Sequence, residues 1–236
     1  MQLPFFYIGS AMNNGSILTL SEENSRHIAQ VLRMTVGEKI NLTDGRGALL
    51  NATIINDHKK HCQVQVNDRR SVERPAPAIT IAISLLKNAT RFEWFLEKAT
   101  ETGVSKIILL NCERTEKQKY RMDRFQGICI AAMLQSEQCW LPEITALVKI
   151  EKAESWKQKD GLNLVAHCAD MEKQPLQQLQ IERYLPQLIA IGPEGDFTPG
   201  EIQLLTGEGF IPVSLGETRL RTETAGLVAA TLLKYK

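Results

Sequence analysis

With 236 residues and 43% hydrophobic content the chain has apolar material for two cored domains. Its longest uncharged apolar runs, Ile79–Leu86 and Gly127–Leu134, fall far short of the ~18 residues of a membrane span, and Met1-Gln2-Leu3-Pro4 lacks the basic and apolar regions of a secretory signal, so a soluble cytoplasmic protein is expected. A formal net charge of +1 excludes a strongly basic surface over the whole chain and leaves only local basic runs, Arg69-Arg70 with Arg74 and Arg114–Arg124.

In chain order, a short β-like start, Phe5–Ile8, precedes a helix that opens at Ser21. Ser21 is a capping residue, Glu22 and Glu23 suit the positive end of the helix dipole, and Ile28, Val31 and Leu32 form an apolar face. Gly37 ends that segment. Alternating stretches follow at 39–43, 48–55 and 62–66, separated by turn residues at Asp44-Gly45-Arg46-Gly47 and Asn56-Asp57. One helix and several short strands predict a compact β-barrel over 1–74. Pro75-Ala76-Pro77 marks the boundary, because two prolines interrupt strand pairing and favour an extended linker.

From residue 75 the pattern changes. Strand-like runs at 79–86, 106–110, 162–167, 187–192 and 211–215 alternate with helical patterns at 91–102, 122–138, 199–207 and 224–235. That alternation predicts an α/β domain with a mainly parallel sheet over 75–236. Phe125, Ile128, Cys129, Ala132 and Met133 recur at helical spacing and read as core.

The five cysteines are odd in number, widely spaced and without a C-x-x-C pair, which fits neither a disulfide framework nor a zinc site. They are expected to be reduced thiols. His58-Lys59-Lys60-His61-Cys62 reads as a solvated loop, and no metal is expected.

The first strand of the α/β region runs into Leu85–Thr90 with no glycine, so the dinucleotide fingerprint is missing. A glycine-rich loop comes late. The apolar strand Leu188–Ile191 leads into Gly192-Pro193-Glu194-Gly195-Asp196-Phe197, after which Thr198, Pro199 and Glu201 supply a cap, a first-turn proline and a capping box. The loop therefore lies at the carboxyl end of a buried strand, where open α/β sheets bind ligands. A second strand, Ile211–Leu215, ends in Gly216 and passes through Glu217-Thr218-Arg219-Leu220-Arg221-Thr222-Glu223-Thr224 into the last helix. Capping explains Thr222 or Thr224, and the dipole explains Glu223. Neither explains Arg219 and Arg221, since cations are disfavoured at a helix N-terminus; ion pairs with Glu217 and Glu223 are the alternative to a functional role.

Gly192–Gly195, Ser214-Leu215-Gly216 and Leu220–Ala225 closely resemble the RsmE family of 16S ribosomal RNA uridine-N3 methyltransferases, of the SPOUT superfamily. His27-Ile28, Val31-Leu32-Arg33, Gly37, Asp44-Gly45, Lys98–Val104 and Glu113-Arg114 extend the likeness over nearly the whole chain. It implies a PUA-like β-barrel followed by an α/β domain carrying a trefoil knot. It also implies a homodimer, S-adenosylmethionine as cofactor and 16S ribosomal RNA of the small subunit as partner, with no membrane. The chain departs from the family pattern in three places: Asp196 replaces a usual glycine, Leu134 and Gln138 in Leu134-Gln135-Ser136-Glu137-Gln138 stand where many members have an acid and an arginine, and Thr102 replaces a leucine.

The resemblance assigns the cofactor to Ile191, Gly192, Pro193, Glu194, Gly195, Leu215, Gly216, Leu220, Thr222 and Ala225, with Glu194 holding sugar hydroxyls or orienting its loop. RNA falls to Arg33, Arg91, Arg114 and Gln135. Uridine N3 carries a proton at neutral pH, so the reaction needs a base or donors that stabilise charge on the uracil oxygens. Arg221 is expected in that second role, Arg219 is the alternate, and Glu223 is a candidate proton acceptor. A methyltransferase for another RNA base or for transfer RNA, and a noncatalytic ribosome assembly factor, are the alternatives.

Overall fold

A computed structural model describes residues 3–10, 13–116, 119–182 and 184–235. Met1, Gln2 and Lys117, used in the sequence reading, lie outside the described residues. The chain divides into two compact units, Met1–Arg74 with Met133–Leu141, and Pro75–Ala132 with Pro142–Lys236. Residues 133–141, expected in the second domain, thus group with the first.

The first unit contains β1 (Phe5–Tyr7), β2 (Ile17–Thr19), α1 (Glu22–Arg26), β3 (Lys39–Thr43), β4 (Ala48–Asn56) and β5 (Gln63–Ser71). Its five strands run in the order β1-β3-β4-β5-β2, with β1 parallel to β3 and the other pairs antiparallel. Alternation along β4 buries Ala48, Leu50, Ala52 and Ile54. The last three pack with Phe6, Ile28, Ile40, Leu42, Val64 and Val66 into one core. Ser21 caps α1 by accepting from the Asn24 N–H at 3.2 Å, and the helix continues as a π-helical turn, His27–Val31.

The Asp44–Gly47 turn joins β3 to β4, and the Asp44 carboxylate accepts from the Arg46 and Ala48 N–H groups at 2.8 and 3.1 Å. It also receives the segment 139–141. The Gly47 N–H donates to the Cys139 carbonyl at 2.8 Å, and the Leu141 N–H donates to the Gly45 carbonyl at 2.9 Å. The Trp140 indole donates to the Val72 carbonyl at 3.1 Å. A Cβ on Gly47 would lie 2.5 Å from the Trp140 ring, so this glycine is required by close approach as well as by its φ of +95°.

The second unit contains β6 (Ile79–Ser84), α2 (Ala89–Glu101), β7 (Lys106–Asn111), α3 (Met122–Gln135), β8 (Glu143–Ile144), β9 (Val148–Lys149), α4 (Ala153–Trp156), β10 (Leu162–Ala166), β11 (Gln174–Pro175), β12 (Gln187–Ile191), α5 (Pro199–Gly207), β13 (Ile211–Ser214) and α6 (Thr222–Lys234). The last residues of α3 belong to the first unit. The sheet order is β11-β13-β10-β12-β6-β7-β8, with β9 also on β7, and every pairing is parallel. Every residue of β6 and β12 is buried, as expected of strands covered on both faces. One face packs Ile108, Leu188 and Ala190 with Phe197, Ile202, Leu205 and Phe210.

Several helix limits differ from expectation; α2, capped by Asn88, starts at Ala89 rather than 91. Helix α3 stops at Gln135 rather than 138, where Glu137 adopts a left-handed φ of +56°. Helix α6 starts at Thr222 rather than 224, with Arg221 at the N-cap. His58 and His61 stack in parallel, with ring centroids 5.5 Å apart, in the exposed β4–β5 turn. Cys62, Cys112, Cys129 and Cys139 are buried and Cys168 is exposed. Burial pushes the Cys112 thiol up to about 12 and the Cys62 and Cys129 thiols up to about 11, and also raises that of Cys139. Among the described residues no helix is long and apolar enough to cross a membrane.

Helices α2 and α6 pack closely where Gly226 meets Phe95. A Cβ at Gly226 would lie 2.7 Å from the Phe95 ring and 3.0 Å from Ile83 Cδ1. Phe95 and Ile83 are fully buried, so neither has room to withdraw. Gly226→Val is expected to destabilise the protein by about 1 to 3 kcal/mol through overpacking. A urea midpoint equal to that of the unmutated protein would contradict this.

Candidate active site

Parallel pairing puts the carboxyl ends of all the strands on one edge, and the register brings three of them level. Ala166 pairs with Ile191 across β10 and β12, and with Val213 across β10 and β13. The loops that leave these three ends line a cavity of about 630 Å³. That volume lies within the range of small-molecule sites.

The β12–α5 loop supplies Ile191, Gly192, Pro193, Glu194 and Asp196. Its exit is fixed by the predicted capping box: the Thr198 Oγ1 accepts from the Glu201 N–H at 3.3 Å, and the Glu201 carboxylate accepts from the Thr198 N–H at 2.8 Å. The other Glu201 oxygen accepts from the Glu113 N–H at 2.7 Å, which ties the helix start to the segment after β7. A Cβ on Gly192 would lie 3.0 Å from the Phe197 nitrogen, so the loop closes on itself over a glycine.

Glu194 accepts from the Lys87 N–H at 3.1 Å, so its carboxylate orients the loop after β6. Arg114 donates to the Gly195 carbonyl at 2.7 Å, and Arg219 donates to the Glu194 carbonyl at 3.5 Å. Two guanidinium groups thus brace consecutive carbonyls of the glycine-rich loop. Gly195 is not among the residues that line the cavity.

Asp196 carries a left-handed φ of +65°. Its carboxylate accepts from the Phe197 N–H and from the Cys168 N–H, each at 2.8 Å, and so joins the loop after β12 to the loop after β10.

The β13–α6 connection supplies Leu215, Gly216, Leu220, Thr222 and Ala225, together with Arg219 and Arg221. Both arginines are exposed. Among the described residues neither pairs with Glu217 or Glu223, and the Arg221 side chain makes no hydrogen bond or ion pair. Glu223 is buried, with its carboxylate 3.7 Å from the Arg91 guanidinium, and does not line the cavity. Arg91 does line it.

Nine of the ten expected cofactor residues, both expected arginines and Arg91 therefore meet around one cavity. Arg33 and Gln135 belong to the first unit, both exposed, with Arg33 at a φ of +55°. The sequence reading missed the third wall, Ala166, His167, Cys168 and Lys173. Its signal was present, because His167 follows an apolar strand just as Gly192 does.

Comparison with known proteins accords with this arrangement. The family model described as RNA methyltransferase domain matches residues 73–234, and that described as RNA methyltransferase PUA domain matches residues 20–67. The ribosomal RNA small subunit methyltransferase E of Synechocystis sp. is 31% identical over 222 residues, covering 90% of this chain and 71% of that protein. The crystal structure of a probable rRNA-methyltransferase from Porphyromonas gingivalis is 37% identical with a TM-score of 0.90, covering 97% of this chain and 95% of that one. That of a ribosomal RNA small subunit methyltransferase E from Neisseria gonorrhoeae, bound to S-adenosylmethionine, is 27% identical with a TM-score of 0.89, covering 99% and 97%. With two domain models in sequence and these relatives along its length, the chain belongs to the ribosomal RNA small subunit methyltransferase E family of RNA methyltransferases.

Proposed function

We propose that the protein methylates N3 of a uridine in 16S ribosomal RNA of the small ribosomal subunit, in the cytoplasm, using S-adenosylmethionine. The observation that carries this reading is the convergence of three loops and two exposed arginines around one cavity at the level ends of β10, β12 and β13.

The residues present fit the cofactor. Glycines at 192 and 216 expose backbone groups to a nucleoside, and the cavity mixes apolar walls of Ile191, Val213 and Leu215 with polar groups. When bound, S-adenosylmethionine supplies an electrophilic methyl group on a sulfonium. The loops of residues 191–196 and 214–222 would hold the donor and orient it toward the acceptor nitrogen. Arg221 stabilises negative charge on the uracil oxygens as the N3 proton passes to solvent, to which the exposed Arg221 side is open. Arg219 and Arg114 brace the glycine-rich loop, and Glu223 holds Arg91 at the rim. The acceptor edge is the pairing edge, so the uridine must be unpaired when it enters.

The trefoil knot belongs to the same reading. Strand β12 inserts between β6 and β10, and the chain then returns to β13 on the far side of β10. The noncatalytic alternative lacks a comparable supporting observation.

Incubation with labelled S-adenosylmethionine and small subunits from a strain lacking this modification should place label in 16S RNA as 3-methyluridine. Label on another base would overturn the assignment. Arg221→Lys keeps the charge and loses the planar fork, so turnover at saturating RNA should fall by roughly a hundredfold with little change in RNA affinity. Turnover within about threefold of the unmutated enzyme would remove Arg221 from the charge-stabilising role. The protein is expected to act as a homodimer, and sedimentation of the intact chain at the mass of one copy, with activity retained, would refute that.

A further inference from the structure

We propose that His167 is a cofactor-binding residue that hydrogen-bonds the adenosine part of S-adenosylmethionine and is positioned for it by Asp196. The inference rests on the cofactor reading above. His167 follows β10, lines the cavity and is only 6% exposed. Both ring nitrogens are enclosed and lack a hydrogen-bond partner among the described residues. The Ala169 backbone favours the charged ring without forming a hydrogen bond to either nitrogen. Buried polar groups in native proteins are ordinarily paired, so an enclosed imidazole with neither nitrogen satisfied calls for a partner.

The chemistry of the ring narrows that partner. Burial, and then the Lys173 ammonium, hold the imidazole below its ordinary value, and the Asp196 carboxylate only partly opposes them. The balance favours the neutral ring, which has one donor and one acceptor. Such a group matches the hydroxyl and ring-nitrogen edges of a nucleoside and adds no charge to repel a sulfonium. The methyl group has to reach RNA, which places the sulfonium beside the exposed Arg219 and Arg221. Adenosine then occupies the side on which the enclosed His167 stands, and with the ring turned about its side-chain bonds a nitrogen would face it.

Asp196 is the positioning residue. It accepts from the Cys168 N–H, one residue beyond His167, and fixes the backbone from which the imidazole projects. Aspartate tolerates the left-handed conformation better than most residues, and the two hydrogen bonds to its carboxylate offset the remaining strain.

Calorimetry with S-adenosylmethionine and with 5′-methylthioadenosine, which lacks the amino-acid end and the sulfonium charge, tests the proposal. His167→Ala should weaken both by about tenfold, and His167→Asn should recover part of the loss. Asp196→Gly should weaken both by about fivefold, with Asp196→Asn intermediate. Nitrogen-labelled imidazole NMR of the unmutated protein should show the His167 nitrogens shifting on saturation with either compound, and Asp196→Gly should displace the same signals. Affinities within about twofold for His167→Ala, a loss confined to S-adenosylmethionine, or unmoved nitrogens would each overturn the proposal. An unmutated protein that binds neither compound would instead overturn the cofactor reading.

Discussion

The site depends on the parallel pairing of β12. This five-residue strand is wholly buried and hydrogen-bonded on both sides, to β10 and to β6. Side chains alternate between faces along a strand, so a slip of one residue would send Leu188 and Ala190 to the opposite face and break the core they form with Phe197, Ile202 and Leu205. The register that satisfies the core also sets Ile191 level with Ala166. Packing thus determines where the glycine-rich loop begins, and the cavity follows from core formation.

The loops are held by charged groups acting on backbone. The Glu201 carboxylate takes the Thr198 and Glu113 N–H groups, Glu194 takes that of Lys87, and Asp196 takes those of Cys168 and Phe197. In the other direction Arg114 and Arg219 donate to carbonyls. Hydrogen bonds with an ionised partner are stronger than neutral ones. The donors and acceptors come from several strand ends, so the loops are fixed to one another as well as to the sheet. Arg221 stands apart from this network, at the helix terminus least suited to a cation, and among the described cations that line the cavity its side chain has no hydrogen-bond or ion-pair partner.

How far this was legible in the sequence follows from how local each signal is. The capping box at Thr198 and Glu201 needs residues three apart, and the structure forms it as read. Glycine after an apolar strand likewise marked the β12–α5 loop. The two-residue strands β8, β9 and β11 carry no periodicity to detect, and β2 has only three residues, two of them exposed. The end of α3 was misplaced because Glu137, a residue with no special turn preference, takes the left-handed position that glycine usually marks. Arg114 read as an RNA contact, but its guanidinium reaches the Gly195 carbonyl, a pairing across 81 residues that no spacing rule contains. The association of residues 139–141 with the Gly45–Gly47 turn is equally non-local, and the requirement for glycine at 47 is set by Trp140, far along the chain.

The uneven burial of the thiols has a practical consequence. Four cysteines are enclosed, and burial keeps them in the unreactive protonated form. Cys168 alone is exposed, and it stands in the wall of the cavity next to His167. A maleimide dye added at neutral pH to the native, unmutated protein thereby attaches at a single address, and its emission becomes an optical gauge of whatever enters beside it.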